Sequence, residues 1–98
     1  MAKIIKTTGE VIEVSPKNGK TFELEELQAV VEHKVGDVSF HYIEIVYLRD
    51  GRLMVVNEEG KLIGAPVNNK ATDIFIESFG VFDIVCGNVL VCDDNEIE

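Results

Sequence analysis

Two apolar runs separated by an Asp-Gly pair constrain this chain more than any other feature. Residues 40–48 (FHYIEIVYL) and 53–56 (LMVV) flank Asp50-Gly51. An Asp-Gly pair between such runs is a strong hairpin signal, because both residues tolerate the backbone of a tight turn. A two-residue turn there sets Leu48 against Leu53, Val46 against Val55 and Glu44 against Asn57. It also sets Arg49 opposite Arg52, where like charges must splay. Both faces of the hairpin are apolar: Ile43, Ile45 and Tyr47 point one way, Val46 and Leu48 the other. A sheet with one wet face would alternate with polar residues, so each face needs cover. Two helices in so short a chain are expected to cover one face, leaving the other to a curled sheet or a second subunit.

Residues 53–72 (LMVVNEEGKLIGAPVNNKAT) are the stretch whose order is most specific. Residues 53–56 suit a strand buried on both faces. Asn57-Glu58-Glu59-Gly60 predicts a type I turn closed by Gly60 in the left-handed region, followed by a short strand over 61–63. Pro66 has no N–H for a ladder and ends the pairing. Asn68 is a good N-cap for a helix over 69–78 with Gly80 placed to end it.

The remaining elements follow from spacing. Residues 3–6 and 11–14 read as strands joined at Thr7-Thr8-Gly9. Thr21 is placed as N-cap of a helix over 22–33, with Leu24, Leu27, Val30 and Val31 on one side. Glu23, Glu25 and Glu26 crowd its first turns, where the helix dipole favours them. A helix over 69–78 would bury Ala71, Ile74, Phe75 and Phe79. Residues 81–91 return as strand, broken at Gly87-Asn88 by a hairpin turn or a kink. The order is ββ-α-βββ-α-β(β). It predicts an α+β fold: a bent, mainly antiparallel sheet, up to a half-barrel, with two packing helices. Residues 1–92 form a single domain, and the acidic tail 93–98 is expected to fray.

Composition narrows the functional classes. The chain has 98 residues, 46% of them hydrophobic and 28% charged, as expected for one small globular domain. No secretory pattern and no apolar run of membrane-spanning length is visible, so a cytoplasmic location is expected. Eighteen acidic against nine basic residues give a net charge of −9. The basic residues are scattered, which disfavours binding to nucleic-acid backbone or an anionic membrane. On one extended strand Cys86 and Cys92 would stand about 20 Å apart, too far to bridge; across a hairpin at Gly87-Asn88 they would fall out of register; and they have no zinc-ligand spacing. They read as reduced, buried thiols. His33 and His41 are few for a metal centre, and the acidic tail lacks the glycine and ligand repeat of a calcium loop. Phosphate-binding, dinucleotide, zinc-protease and serine-hydrolase motifs are absent. No catalytic residue, metal or cofactor is predicted.

The polar residues of the central stretch remain. Asn57, Glu59, Lys61, Asn68 and Thr72 are the candidate binding residues, set around a pocket beside the 57–60 turn. As plain structure, the same residues are turn and cap groups with solvated charges.

The run Asn57-Glu58-Glu59-Gly60-Lys61-Leu62, followed by Gly64-x-Pro66-x-Asn68-x-x-Ala71-Thr72, resembles the domain-of-unknown-function 3846 family. Leu24-x-x-Leu27-Gln28, Tyr42-Ile43-Glu44 and Gly87-Asn88-Val89 are similar to its flanking pattern. The link over residues 32–41 is longer than the short glycine-rich one of that family. The resemblance implies a small protein of bacteria, phages or mobile elements. It carries no established activity and transfers no catalytic residue.

Three functional readings follow. The first is a non-enzymatic binding or protein-interaction module with an unknown protein partner, with a homodimer as one form of partner. The second is an acidic inhibitor that imitates nucleic acid, which requires the acids of residues 23–32 and of the tail to form one patch. The third is a small ligand-binding or enzymatic domain using the pocket near residues 57–72.

Overall fold

The computed structural model describes residues 2–97. The chain opens with a hairpin, β1 (Ala2–Ile5) and β2 (Val11–Val14). Helix α1 (Leu24–Val31) follows, then a small separate hairpin of β3 (His33–Val35) and β4 (Val38–Phe40). Strands β5 (Ile43–Tyr47) and β6 (Arg52–Asn57) precede helix α2 (Asn69–Phe79). Strand β7 (Val89–Asp93) and a short 3-10 helix (Asp94–Glu96) close the chain. The main sheet has the order β2-β1-β7-β6-β5, and every neighbouring pair is antiparallel. It is an open α+β sheet with β2 and β5 at its edges.

The last strand enters the middle of the sheet, between β1 and β6. Both central strands are therefore covered on two sides: residues 53–57 and 89–92 are buried throughout. Their side chains alternate between two cores. Leu53, Val55, Leu90 and Cys92 pack with Ala2, Phe22, Leu27 and Val31, under α1. Met54, Val56, Val89 and Val91 pack with Ile5, Leu48, Ala71 and Val85, under α2, with Ile74, Phe75 and Phe79 beside them. The doubly apolar hairpin is thus covered by one helix on each face. This corrects the expectation that both helices serve one face; no second subunit is needed to cover the centre of the sheet.

The β5–β6 register is one residue away from the expected one. Tyr47 faces Leu53, Ile45 faces Val55 and Ile43 faces Asn57. The turn has three residues, Arg49-Asp50-Gly51, with Gly51 at φ 91°. Leu48 both donates to the Arg52 carbonyl and accepts from the Gly51 N–H. This is a type I turn closed by a left-handed glycine bulge. Arg49 and Arg52 therefore do not oppose each other; Arg52 Nε pairs with Asp50 at 2.7 Å.

Other local expectations change as well. Residues 61–63 are turn rather than strand. Gly60 is held by close approach, not by a left-handed backbone: a Cβ there would stand 2.7 Å from the Cys86 carbonyl oxygen. Residues 81–86 are not strand beyond a bridge between Val67 and Cys86. Gly87-Asn88 is neither hairpin turn nor strand kink, but the bend that leads into β7, where the Gly87 N–H donates to the Pro66 carbonyl. At α1 the N-cap is Glu23 rather than Thr21, and Glu26 Oε2 accepts from the Glu23 N–H at 2.8 Å. The acidic end of the chain makes defined contacts as far as Ile97. Phe22 N–H donates to the Glu96 carbonyl at 2.7 Å, and Phe22 bridges Ile97 in parallel.

Candidate interaction surface

The residues singled out in the central stretch split into two kinds. Three are buried structural hubs. Asn57 Nδ2 donates to the Val31 and Phe40 carbonyls, and its Oδ1 accepts from the Glu59 N–H. Asn68 Nδ2 donates to the Ile5 and Gly87 carbonyls, and its Oδ1 caps α2 by accepting from the Ala71 N–H. Thr72 Oγ1 accepts from the Val85 N–H. Buried amides and hydroxyls of this kind hold loops that have no ladder of their own. The other two lie at the surface. Glu59 is half-buried, and Lys61 Nζ meets Asp83 Oδ1 at 2.5 Å. Lys61, but none of the other four, lines a shallow cleft of about 270 Å³ with Glu44, Phe75 and Asp83.

A more continuous surface lies around α1. That helix has only eight residues and covers the middle of its sheet face, so a cleft remains on either side. One, of about 550 Å³, runs between α1 and β5. Its floor is Phe22, Leu27, Ile43, Ile45 and Ile97, and its rim carries Leu24, Glu23 and Glu25. The other, of about 480 Å³, lies over β1 and β2. Ile4, Val14, Ala29 and Val30 line it, with Glu23, Glu25 and Glu26 at its rim and Lys17 as its cation.

Leu24 is the residue whose role the sequence misplaced. It shares the i, i+3 spacing of the core stripe with Leu27, yet 53% of it is exposed at the cleft rim. Tyr47, at the far end of β5, is 68% exposed. The signal was present in the β5 run itself, which is more apolar on the α1 face than a short helix can cover. A second apolar site lies elsewhere. The Lys61–Asp83 contact clasps two loops that carry Leu62, 87% exposed, and Phe82, 78% exposed.

Electrostatics around α1 are acidic and locally organised. Backbone N–H groups of Glu23 and Lys17 hold the Glu26 carboxyl below the usual carboxylate range. The Phe22–Glu96 hydrogen bond sets the 3-10 helix, with Asp94 and Glu96, beside the start of the segment that carries Glu23 and Glu25. Burial pushes the Cys92 thiol up to about 11, with Glu96 and Asp93 adding to it. That thiol is un-ionised at neutral pH and is no nucleophile. Among the described residues, no three His, Cys, Asp or Glu are grouped to hold a metal ion. No helix among them is long and apolar enough to cross a membrane.

Fold and surface together define a small α+β domain with acid-rimmed apolar clefts beside an open sheet edge. Residues 3–98 match the family model described as Domain of unknown function (DUF3846), and the chain belongs to that family. No curated protein and no solved structure matches it.

Proposed function

We propose that this protein is a cytoplasmic, non-enzymatic protein-interaction module, accessory to a phage or mobile element, that receives a partner segment in the cleft between α1 and β5. The observation that carries the reading is the position of Leu24. A leucine on the core stripe of an amphipathic helix stays more than half exposed, beside a floor of Ile43 and Ile45. Apolar surface framed by charge is the usual composition of a recognition site. The mobile-element context rests on the family resemblance.

The test is quantitative capture from nuclease-treated lysate of the native host by the tagged wild type, Leu24→Ser, and Leu62→Ser as a control at the other apolar site. The reading expects a stoichiometric partner kept by Leu62→Ser and lost by Leu24→Ser. Equal capture by all three, or capture lost only with Leu62→Ser, contradicts it.

One observation favours a second reading, an acidic inhibitor that imitates nucleic acid. The acids at the start of α1 and those of the 3-10 helix are tied into one neighbourhood by the Phe22–Glu96 bond. That reading expects the captured partner to be a nucleic-acid-binding protein that duplex DNA displaces.

A further inference from the structure

Strand β5 ends the sheet, and its outer edge carries a defined set of backbone groups. The closing bond of the hairpin, Leu48 N–H to the Arg52 carbonyl, fixes which residues of β5 face β6. Leu48, Val46 and Glu44 turn their N–H and C=O groups inward, and the Glu58 N–H donates to the Tyr42 carbonyl in the same phase. By alternation, Ile43, Ile45 and Tyr47 turn theirs outward. No strand among the described residues pairs with that edge.

An edge of this kind is a template for another strand, and proteins usually blunt it with lysine, proline or a bulge. Residues 43–47 (IEIVY) have none of these. The other edge is less open to addition: β2 has four residues and runs on to Pro16. The side chains of Ile43 and Ile45 form the floor of the α1 cleft, so an added strand would place every second side chain against that floor. The intervening side chains would lie beside Glu44, which is exposed and makes no ion pair among the described residues. Glu23 and Glu25 stand at the cleft rim.

We propose that the occupant of the α1–β5 cleft is an extended segment of a partner protein, alternating apolar and basic residues, which adds to the sheet along β5 by hydrogen-bonding Ile43, Ile45 and Tyr47. Main-chain bonds give such a mode its affinity, and alternate pockets give its specificity. A second copy of this chain meets the same backbone but brings another net charge of −9 to an edge already flanked by acids. The proposal rests on the interaction-module reading and adds the chemistry and geometry of the partner.

The test uses the full chain and three synthetic probes: a nine-residue peptide alternating valine and lysine, its valine–glutamate counterpart, and the valine–lysine peptide N-methylated at alternate residues. Amide hydrogen exchange is followed residue by residue. At nine-tenths saturation with the valine–lysine peptide, the Ile43, Ile45 and Tyr47 amides should slow about tenfold, with Glu44 and Val46 little changed. Peptides methylated on the paired edge should not bind. Ile45→Pro removes an outward N–H without touching the β6 ladder, and it should bind far more weakly than Ile45→Ala. Binding that perturbs Leu24 without slowing the three amides overturns strand addition while leaving the cleft reading intact. Equal binding of the glutamate peptide, or no binding of the lysine peptide, overturns the basic segment. Protection of the same amides that rises with protein concentration alone assigns the edge to a second copy and overturns the proposal.

Discussion

The Asn68 side chain donates to the Ile5 carbonyl at 2.9 Å, across 63 residues of sequence. One buried amide thereby joins the first strand to the start of α2 and, through Gly87, to the bend before β7. Asn68→Ala removes the helix cap and takes one donor from each of the two carbonyls. The cap is worth about 1 kcal/mol and each buried hydrogen bond about 0.5–1.5 kcal/mol. A loss of about 2–4 kcal/mol is expected in urea unfolding. Asn68→Asp keeps an acceptor for the Ala71 N–H but buries a charge against two carbonyls, so it should be no better.

Gly60 and Gly64 separate close approach from backbone conformation. A Cβ at Gly60 meets the Cys86 carbonyl oxygen at 2.7 Å, whereas Gly64 stands in open space at φ 70°. Gly60→Ala must push two packed loops apart, at about 1–3 kcal/mol. Gly64→Ala meets only the left-handed penalty, about 1 kcal/mol. Thermal melts of the two variants should rank in that order.

The Lys61 ammonium holds the Asp83 carboxyl below its ordinary value, and the Ile84 N–H adds to this. A lowered folded-state value means that the contact stabilises the fold above the unfolded carboxylate value, about 3.9, and that this contribution fades as pH falls through the folded value. The melting difference between wild type and Asp83→Asn should therefore be present at pH 6 and shrink below pH 4. Both groups are half exposed, so added salt should also reduce it. A difference independent of pH would contradict the pairing.

Both cysteines are buried, and the Cys92 thiol stands at about 11. A thiol-specific reagent at pH 8 should label neither in the native protein at the rate of a free thiol, and should label both in denaturant. Fast native labelling of Cys92 would contradict its burial under α1.

Much of the fold was legible because it rests on short-range chemistry. The strand over 53–56, the Asn68 cap, the Gly80 stop and the first hairpin could be read from pattern and turn residues alone. Register was less legible: Asp50-Gly51 marks the turn, but whether Arg49 belongs to the loop depends on how Leu48 packs against α2. The 58–64 loop is not legible as turn and strand because the Ile63, Gly64 and Ala65 N–H groups fold back on the Glu59, Lys61 and Gly60 carbonyls, while Asn57 and Asn68 on either side are fixed by distant backbone carbonyls that leave no local periodicity. The same fact explains the site. Asn57, Asn68 and Thr72 look like binding residues in sequence and are occupied by the fold, while Leu24 looks like core and lies at the cleft rim. Local rules fail most informatively where a residue serves something other than its own element.

Strand β5 presents an open, ordered edge beside the α1 cleft. Amide hydrogen exchange of the free protein at micromolar concentration reads that edge residue by residue. The Ile43, Ile45 and Tyr47 amides should exchange fast, while those of Glu44 and Val46, facing β6, should be protected. Protection of all five amides in dilute solution would mean that the edge is already covered and is not free to take a strand.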